Sequence, residues 1–249
     1  LSPSAFCEYR ERLARLTRRN LELTPNSSLP EALVQIGRLE ELQSLRRDQL
    51  QERPDPGLLS VLLDECRQLG TEPFSIIARH AFIAEILLRS AVARGILEPG
   101  RYDEFKHSLH TVTTEFTQDF ATALENPEQR GHFLERYGHL RPGTYDIISL
   151  RYDQREDLFE ASADTTPQQS KKPFNISRVE ANGLRELFGT SGLGTVEPEK
   201  FLQYARLAIA NRERAKFIFT RHLSDAMELV AHWGKTMGLD REALSYLSI

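Results

Sequence analysis

Apolar residues in this chain recur at steps of three and four and almost never alternate, a spacing that commits it to helices packed on helices. The clearest run is Phe74, Ile77, Ala81, Ala84, Leu87, Leu88 and Ala91, a broad apolar face expected on a helix from Glu72 to Arg94. Thr71 is placed to cap its start and Gly95 to end it. The same rhythm appears in Phe6, Tyr9, Leu13 and Leu16, an expected helix over Ala5 to Arg19 with arginines on its other side. It returns in Leu33, Ile36, Leu39, Leu42 and Leu45 behind a Ser28/Glu31 capping box. Asp55 and Pro56 start a helix through Leu59, Leu62, Leu63, Cys66 and Leu69, with Gly70 read as its stop. Tyr102, Phe105, Leu109, Val112, Phe116, Phe120 and Ala123 read as the seam of one long helix. After Pro127 a shorter helix through Phe133, Leu134 and Tyr137 is expected, and Val179, Leu184, Leu187 and Phe188 mark another. The longest runs from Pro198 to about Gly238, with Asp240 capping a last turn. The fold class expected is therefore all-α: a multi-helix antiparallel bundle with one Gly/Pro-rich loop and a mobile linker.

At 249 residues the chain can bury a substantial core, and its 40 % hydrophobic and 27 % charged content is that of a soluble globular protein. No apolar run approaches the ~20 residues that a membrane-spanning helix needs. The net charge of −4, with both signs interleaved, offers no basic face for nucleic acid. Cys7 and Cys66 have no CxxC spacing and are expected as reduced core residues. The start, Leu1-Ser2-Pro3-Ser4, lacks an initiator methionine and reads as a cut from something longer.

The chemistry-bearing residues gather in Tyr137-Gly138-His139-Leu140-Arg141-Pro142-Gly143-Thr144-Tyr145-Asp146-Ile147. Two glycines allow positive φ or close approach, and Pro142 pushes Arg141 out of helical geometry, so a helix cannot pass through. His139, Arg141, Tyr145 and Asp146 offer a general base, an anion fork, a hydroxyl and a carboxylate, and are the candidate substrate-binding residues. Two readings stay open: a substrate loop, or an architectural corner in which Arg141 pairs with Asp146.

Elsewhere the polar residues have plainer readings. Arg79 and His80 either line a cavity or sit hydrogen-bonded at the core edge, and His107 and His110 are assigned to solvent rather than to a metal. Between 161 and 177 there is little apolar content, which predicts a mobile linker. The domain plan is then a bundle over 1–160 ending in the polar loop, that linker, and C-terminal helices over 178–249 packing back. Within them, Thr190-Ser191-Gly192-Leu193-Gly194-Thr195 lacks the lysine-hydroxyl pair of a phosphate loop. The charged stretch Asn211-Arg212-Glu213-Arg214-Ala215-Lys216 is open to three readings: exposed ion pairs, a phosphate contact, or a point where the helix leaves one cluster for another.

The loop from Tyr137 to Ile147, followed by Arg151-Tyr152, resembles a segment of phosphoenolpyruvate-utilising enzymes, the relatives of phosphoenolpyruvate synthase and pyruvate phosphate dikinase. The helix from Phe74 to Ser90 and the stretch from Lys216 to Leu247 resemble the helical region between the two catalytic parts of such enzymes. The resemblance implies a central acceptor-binding or spacer domain of an ATP- or phosphoenolpyruvate-dependent phosphotransferase, cytoplasmic and without activity in isolation. ATP and Mg would be cofactors of the full-length enzyme and none would belong to this part. Its partners would be the ATP-binding domain and the swivelling phosphohistidine domain of the same polypeptide, and an unknown small-molecule acceptor. No Gly-Gly-x-x-(Ser/Ala)-His segment is present, so His139 does not inherit the phosphohistidine role. In the related rifampin phosphotransferases the loop reads Gly-His-Arg-Gly-Pro-Gly; Leu140 and Arg141 replace its Arg-Gly pair and leave the acceptor open. The alternative is a helical protein–protein interaction module with no part in catalysis.

Overall fold

The structure is a computed structural model that describes residues 2–52, 56–160 and 173–246. It is an all-α protein, with no strand among the described residues. In order, the helices are α1 (Pro3–Leu21), α2 (Ser28–Glu52), α3 (Pro56–Glu65), α4 (Glu72–Ala93), α5 (Pro99–His107), α6 (Val112–Glu125), α7 (Arg130–Tyr137), α8 (Arg178–Thr190), α9 (Pro198–Thr236) and α10 (Arg241–Ser245). A π-helical segment, Cys66–Thr71, joins α3 to α4 without a break.

The chain divides into two compact units that share three helices. The first takes 1–34, 75–111 and 170–213, and the second takes 35–74, 112–169 and 214–249. In α9 the division falls at Glu213, inside the charged stretch that was one candidate for such a crossing.

In the first unit, α8 begins with a full capping box: the Ser177 hydroxyl accepts from Glu180 N, and the Glu180 carboxylate accepts from Ser177 N. Arg101 grips the same carboxylate and, with burial opposing, holds its pKa down to about 2. The anticipated cap on α2 is shifted by one residue. Ser27 supplies the first helical carbonyl, to Glu31 N, while the Ser28 hydroxyl lies 2.9 Å from His80 Nε2. His80 is buried, whereas Arg79 is exposed. Its Nδ1 meets the Tyr204 hydroxyl at 2.9 Å, and that hydroxyl in turn reaches the His80 carbonyl at 3.1 Å. Tyrosine has one proton and a carbonyl can only accept it, so Nδ1 must donate to Tyr204 and Nε2 must accept from Ser28. His80 is thus a satisfied neutral core histidine, its pKa lowered by burial and by Arg79.

Two expectations for this unit need correction. Phe6, Tyr9, Leu13 and Leu16 do share one side of α1, but that side is exposed, and Cys7 is exposed rather than core. Of the linker expected over 161–177, residues 161–172 lie outside the described residues, and 173–177 is pinned. There Phe174 is buried edge-on against Phe105, with Arg101 over its ring and Arg206 bonded to its carbonyl. Periodicity gave no sign of Phe174 because an extended segment anchored by one ring has no period.

The second unit holds an aromatic cluster and an aliphatic one. Phe133, Tyr137, Leu158 and Ala123 are buried with Phe116, Phe120, Phe159 and Phe217 around them. Ring centroids 4.9 to 5.9 Å apart, as in Phe133–Tyr137 and Phe116–Phe120, add about 0.5–1.5 kcal/mol per pair beyond burial. Leu58, Leu62, Ala226 and Leu229 form the second cluster, with Trp233 against it. Gly70 is not a helix stop, because the backbone runs on through the π-helical segment. A Cβ there would lie 2.6 Å from the Phe219 Cβ, so glycine is required by the close approach of α9. The expected single helix from Tyr102 to Ala123 is two, broken at Ser108 where the serine hydroxyl donates to the Phe105 carbonyl. A β-branched run, Thr111 to Thr114, follows the break and lowers helix propensity there.

Candidate functional site

The loop after α7 is a clasped corner in the second unit. Gly138 and Gly143 both lie outside the positive-φ region, so neither serves a left-handed turn. Their missing side chains serve approach instead: a Cβ on Gly138 would meet Asp153 Cβ at 2.9 Å, and one on Gly143 would meet Asp146 Cβ at 2.9 Å. The chain returns along itself, Tyr152 N donating to the Leu140 carbonyl at 2.8 Å and Asp153 N to the Gly138 carbonyl at 3.2 Å. At the tip the Asp146 carboxylate accepts from Ile148 N at 2.9 Å, and Gly143 N donates to the Ser149 hydroxyl at 3.0 Å.

Arg141 is the centre of the clasp. Its side chain is 1 % exposed. One guanidinium nitrogen donates to the carbonyls of Asp146 and Ser149, at 3.3 and 3.0 Å. The other donates to Ser224, at 3.3 Å to its carbonyl and 2.9 Å to its hydroxyl, and to Glu228 Oε1 at 2.9 Å. The Ser224 hydroxyl in turn donates a hydrogen bond to the His139 carbonyl, 2.7 Å away. Arg141 therefore meets the backbone of Asp146 and pairs with Glu228. Burial pulls its pKa down while Glu228 opposes, and an arginine stays charged under both.

His139 is equally enclosed. Its Nε2 faces the Phe217 carbonyl at 3.3 Å, which assigns the proton to that nitrogen, and its ring packs edge-on against Phe217 at 4.8 Å. Nδ1 has no hydrogen-bond partner among the described residues. Burial drives its pKa well below the ordinary value, Arg221 and Arg151 push the same way, and the carbonyls of Phe217 and Arg136 offset only part. This is a neutral ring with its lone pair shut away from solvent. Tyr145, by contrast, is 67 % exposed, and Asp146 is exposed at the turn. The four candidate residues thus split, His139 and Arg141 inside the clasp and Tyr145 and Asp146 on its outer surface.

Several residues of the site were not singled out from the sequence. Arg151 spans Asp153 and Asp225, with its closest contacts at 2.8 and 2.7 Å. Burial opposes its charge, and the two carboxylates outweigh it and raise its pKa. Arg221 donates to the Arg136 carbonyl at 2.6 Å and so satisfies the open C-terminal end of α7. Glu228 accepts from Arg241 and from Gln154, both at 2.6 Å, besides Arg141. Although burial works against it, the two arginines and the Gln154 amide hold its carboxylate below the usual range. Arg241 also donates to the Ile147 carbonyl at 2.8 Å, tying α10 to the loop. The signal available was Ser224, Asp225 and Glu228, a hydroxyl and two carboxylates within about one turn of α9, spaced by Ala226 and Met227.

Glu228 and Arg241 also form one wall of an open cleft of about 630 Å³, whose other lining includes His232, Lys235, Leu239 and Asp240. Its rim carries three groups that can hold an anion and two carboxylates that screen them. Among the described residues no cluster of His, Cys, Asp or Glu could hold a metal ion, and no helix is long and apolar enough to cross a membrane. Comparison with models of protein families, with curated proteins and with solved structures finds no match to this chain. What the geometry defines by itself is an all-helical protein whose polar loop is clasped to a long helix beside a cation-bearing cleft.

Proposed function

We propose that this chain is the central helical domain of a multidomain ATP- or phosphoenolpyruvate-dependent phosphotransferase of the cytoplasm, where it binds or positions the phosphate acceptor. The observation that carries the reading is the clasp: the loop that resembles such enzymes is fixed by a buried arginine, and Glu228 and Arg241 join it to the cleft. A rigid loop beside exposed cations suits a site where an anionic group must be held in one place. On this reading His139 and Arg141 shape the loop, while Tyr145, His232 and Lys235 face the acceptor. The other domains of the same polypeptide supply ATP, Mg and the phosphohistidine, and the chain alone transfers nothing.

Two measurements test this. Sequencing the coding region on either side should reveal an ATP-binding segment before this chain and a phosphohistidine segment after it. Unrelated flanking sequence on both sides refutes the reading. The isolated chain should take up no label from radiolabelled ATP or phosphoenolpyruvate, and stable phosphorylation of any of its histidines overturns the assignment.

A further inference from the structure

The exposed side of α1 is apolar and belongs to a different unit from the clasped loop. Phe6, Tyr9, Leu13 and Leu16 follow one another at steps of three, four and three, the spacing of alternating seam positions in a coiled coil. They are 49 to 56 % exposed, and in the whole helix only Leu21 is buried. The seam covers roughly 15 Å of helix axis at 1.5 Å per residue. Leu13 belongs also to a neighbouring groove of about 390 Å³, lined by Ala14, Leu87 and Leu193 with Arg10 and Arg94 at its sides. An apolar seam next to an apolar groove is a surface shaped for another helix.

Charge selects the occupant. The positions that flank a heptad seam are here Arg10, Arg12 and Arg19, with the small or neutral Ala5 and Thr17. All three arginines are exposed, and the ion pair that Arg12 makes with Glu8 on the same helix is itself exposed and easily exchanged. A second copy of this chain has no acidic residue at these flanking positions in either orientation; in parallel pairing Arg10 would meet Ala5 and Arg12 would meet Thr17, which leaves the arginines uncompensated. A bilayer is flat and would leave the groove beside Leu13 unfilled.

We propose that α1 is half of a helix–helix interface, and that the other half is an acidic amphipathic helix of a partner protein. Its apolar residues lie along the Phe6–Leu16 seam, and its Glu or Asp side chains meet Arg10, Arg12 and Arg19. The surface belongs to the first unit and needs nothing from the clasped loop, so it stands or falls apart from the phosphotransferase reading.

The probe is a labelled three-heptad peptide with Leu at the seam and Glu at the flanking positions, read by fluorescence anisotropy against a twin with Lys at those positions. The acidic peptide should bind at least about tenfold more tightly than its twin, and less tightly as salt rises. Leu13→Asp should remove binding while far-UV circular dichroism stays unchanged. Reversing the flanks, R10E with R12E and R19E, should switch the preference to the lysine peptide. The proposal is overturned by absent binding, by equal binding of the two peptides, or by binding that survives Leu13→Asp. It is equally overturned if sedimentation shows Leu13-dependent self-association, or if phosphatidylserine vesicles hold the chain more tightly than the acidic peptide does.

Discussion

Replacing Arg141 by Met keeps most of the buried stem and removes the fork, which isolates what the clasp contributes. Three carbonyls, those of Asp146, Ser149 and Ser224, lose a charged donor. The Asp146 carbonyl keeps Ser149 N and the Ser224 carbonyl keeps its place in the α9 ladder, so the loss is counted per hydrogen bond, at about 1 kcal/mol each, and starts near 3 kcal/mol. Glu228 is not orphaned, since Arg241 and Gln154 still hold it, so the 3–5 kcal/mol typical of a broken buried pair is an upper bound. Relief from burying the guanidinium offsets part of the cost, and the net is about 2–4 kcal/mol. For a chain of this size that is a fall of roughly 5–15 °C in Tm. Arg141→Lys should lose about as much, because a single ammonium cannot reach Glu228, Ser224 and the loop carbonyls together. Urea unfolding followed by circular dichroism gives the stability, and limited proteolysis between 142 and 150 shows whether the loop has come away. A Met variant within about 0.5 kcal/mol of the parent, its loop still resistant, would refute the clasp.

Three further outcomes follow from other parts of the structure. His80, His139 and His222, the last buried on α9 with its Nε2 3.1 Å from Glu65, all have pKa values lowered by burial, so the unfolded chain binds their protons first; stability is complete above about pH 6.5 and is lost as pH falls toward their folded values, by up to about 1.4 kcal/mol per pH unit for each histidine. Urea midpoints that stay level from pH 7.5 to 5.5 would contradict this, and His139→Gln should flatten the slope by one proton's worth. Cys7 is exposed while Cys66 is buried, with its thiol pushed up to about 11, so a thiol reagent should titrate one group in the native chain and two in denaturant. Gly70→Ala puts a methyl group 2.6 Å from the Phe219 Cβ, and overpacking of about 1–3 kcal/mol should outweigh the roughly 1 kcal/mol gained in helix propensity; a raised Tm would show that α9 can move aside.

The fold class was legible because a period of three and four survives any local detail. What failed were the places where one residue type has two uses. Gly70 has the chemistry of a stop, yet the structure uses its small size against Phe219, and only the partner helix distinguishes those. Leu109 and Val112 keep the seam's rhythm across a break made by a serine hydroxyl and a β-branched run, because spacing records side chains and not backbone continuity. Phe6, Tyr9, Leu13 and Leu16 have an impeccable buried-face pattern and are exposed, since periodicity says that a face is apolar and not what covers it.

The polar loop shows the same ambiguity at the site itself. Residues 137–147 were visible as a place where helix must end, and Arg141 as its strongest anion-binding group. Whether that guanidinium meets a ligand or the protein depends on Ser224 and Glu228, more than eighty residues away in sequence. Those two stand four apart and face the same way on α9, so one arginine can bond both and still reach the Asp146 and Ser149 carbonyls. Once it does, no donor remains in hydrogen-bond geometry for an outside anion except Nε, which is buried with no partner among the described residues. The chemistry that made Arg141 a candidate ligand for phosphate is the chemistry that fixes the loop. In the proposed reading the anion meets the exposed His232 and Lys235 of the adjoining cleft instead, which sequence spacing left indistinguishable from any other polar residues on a long helix.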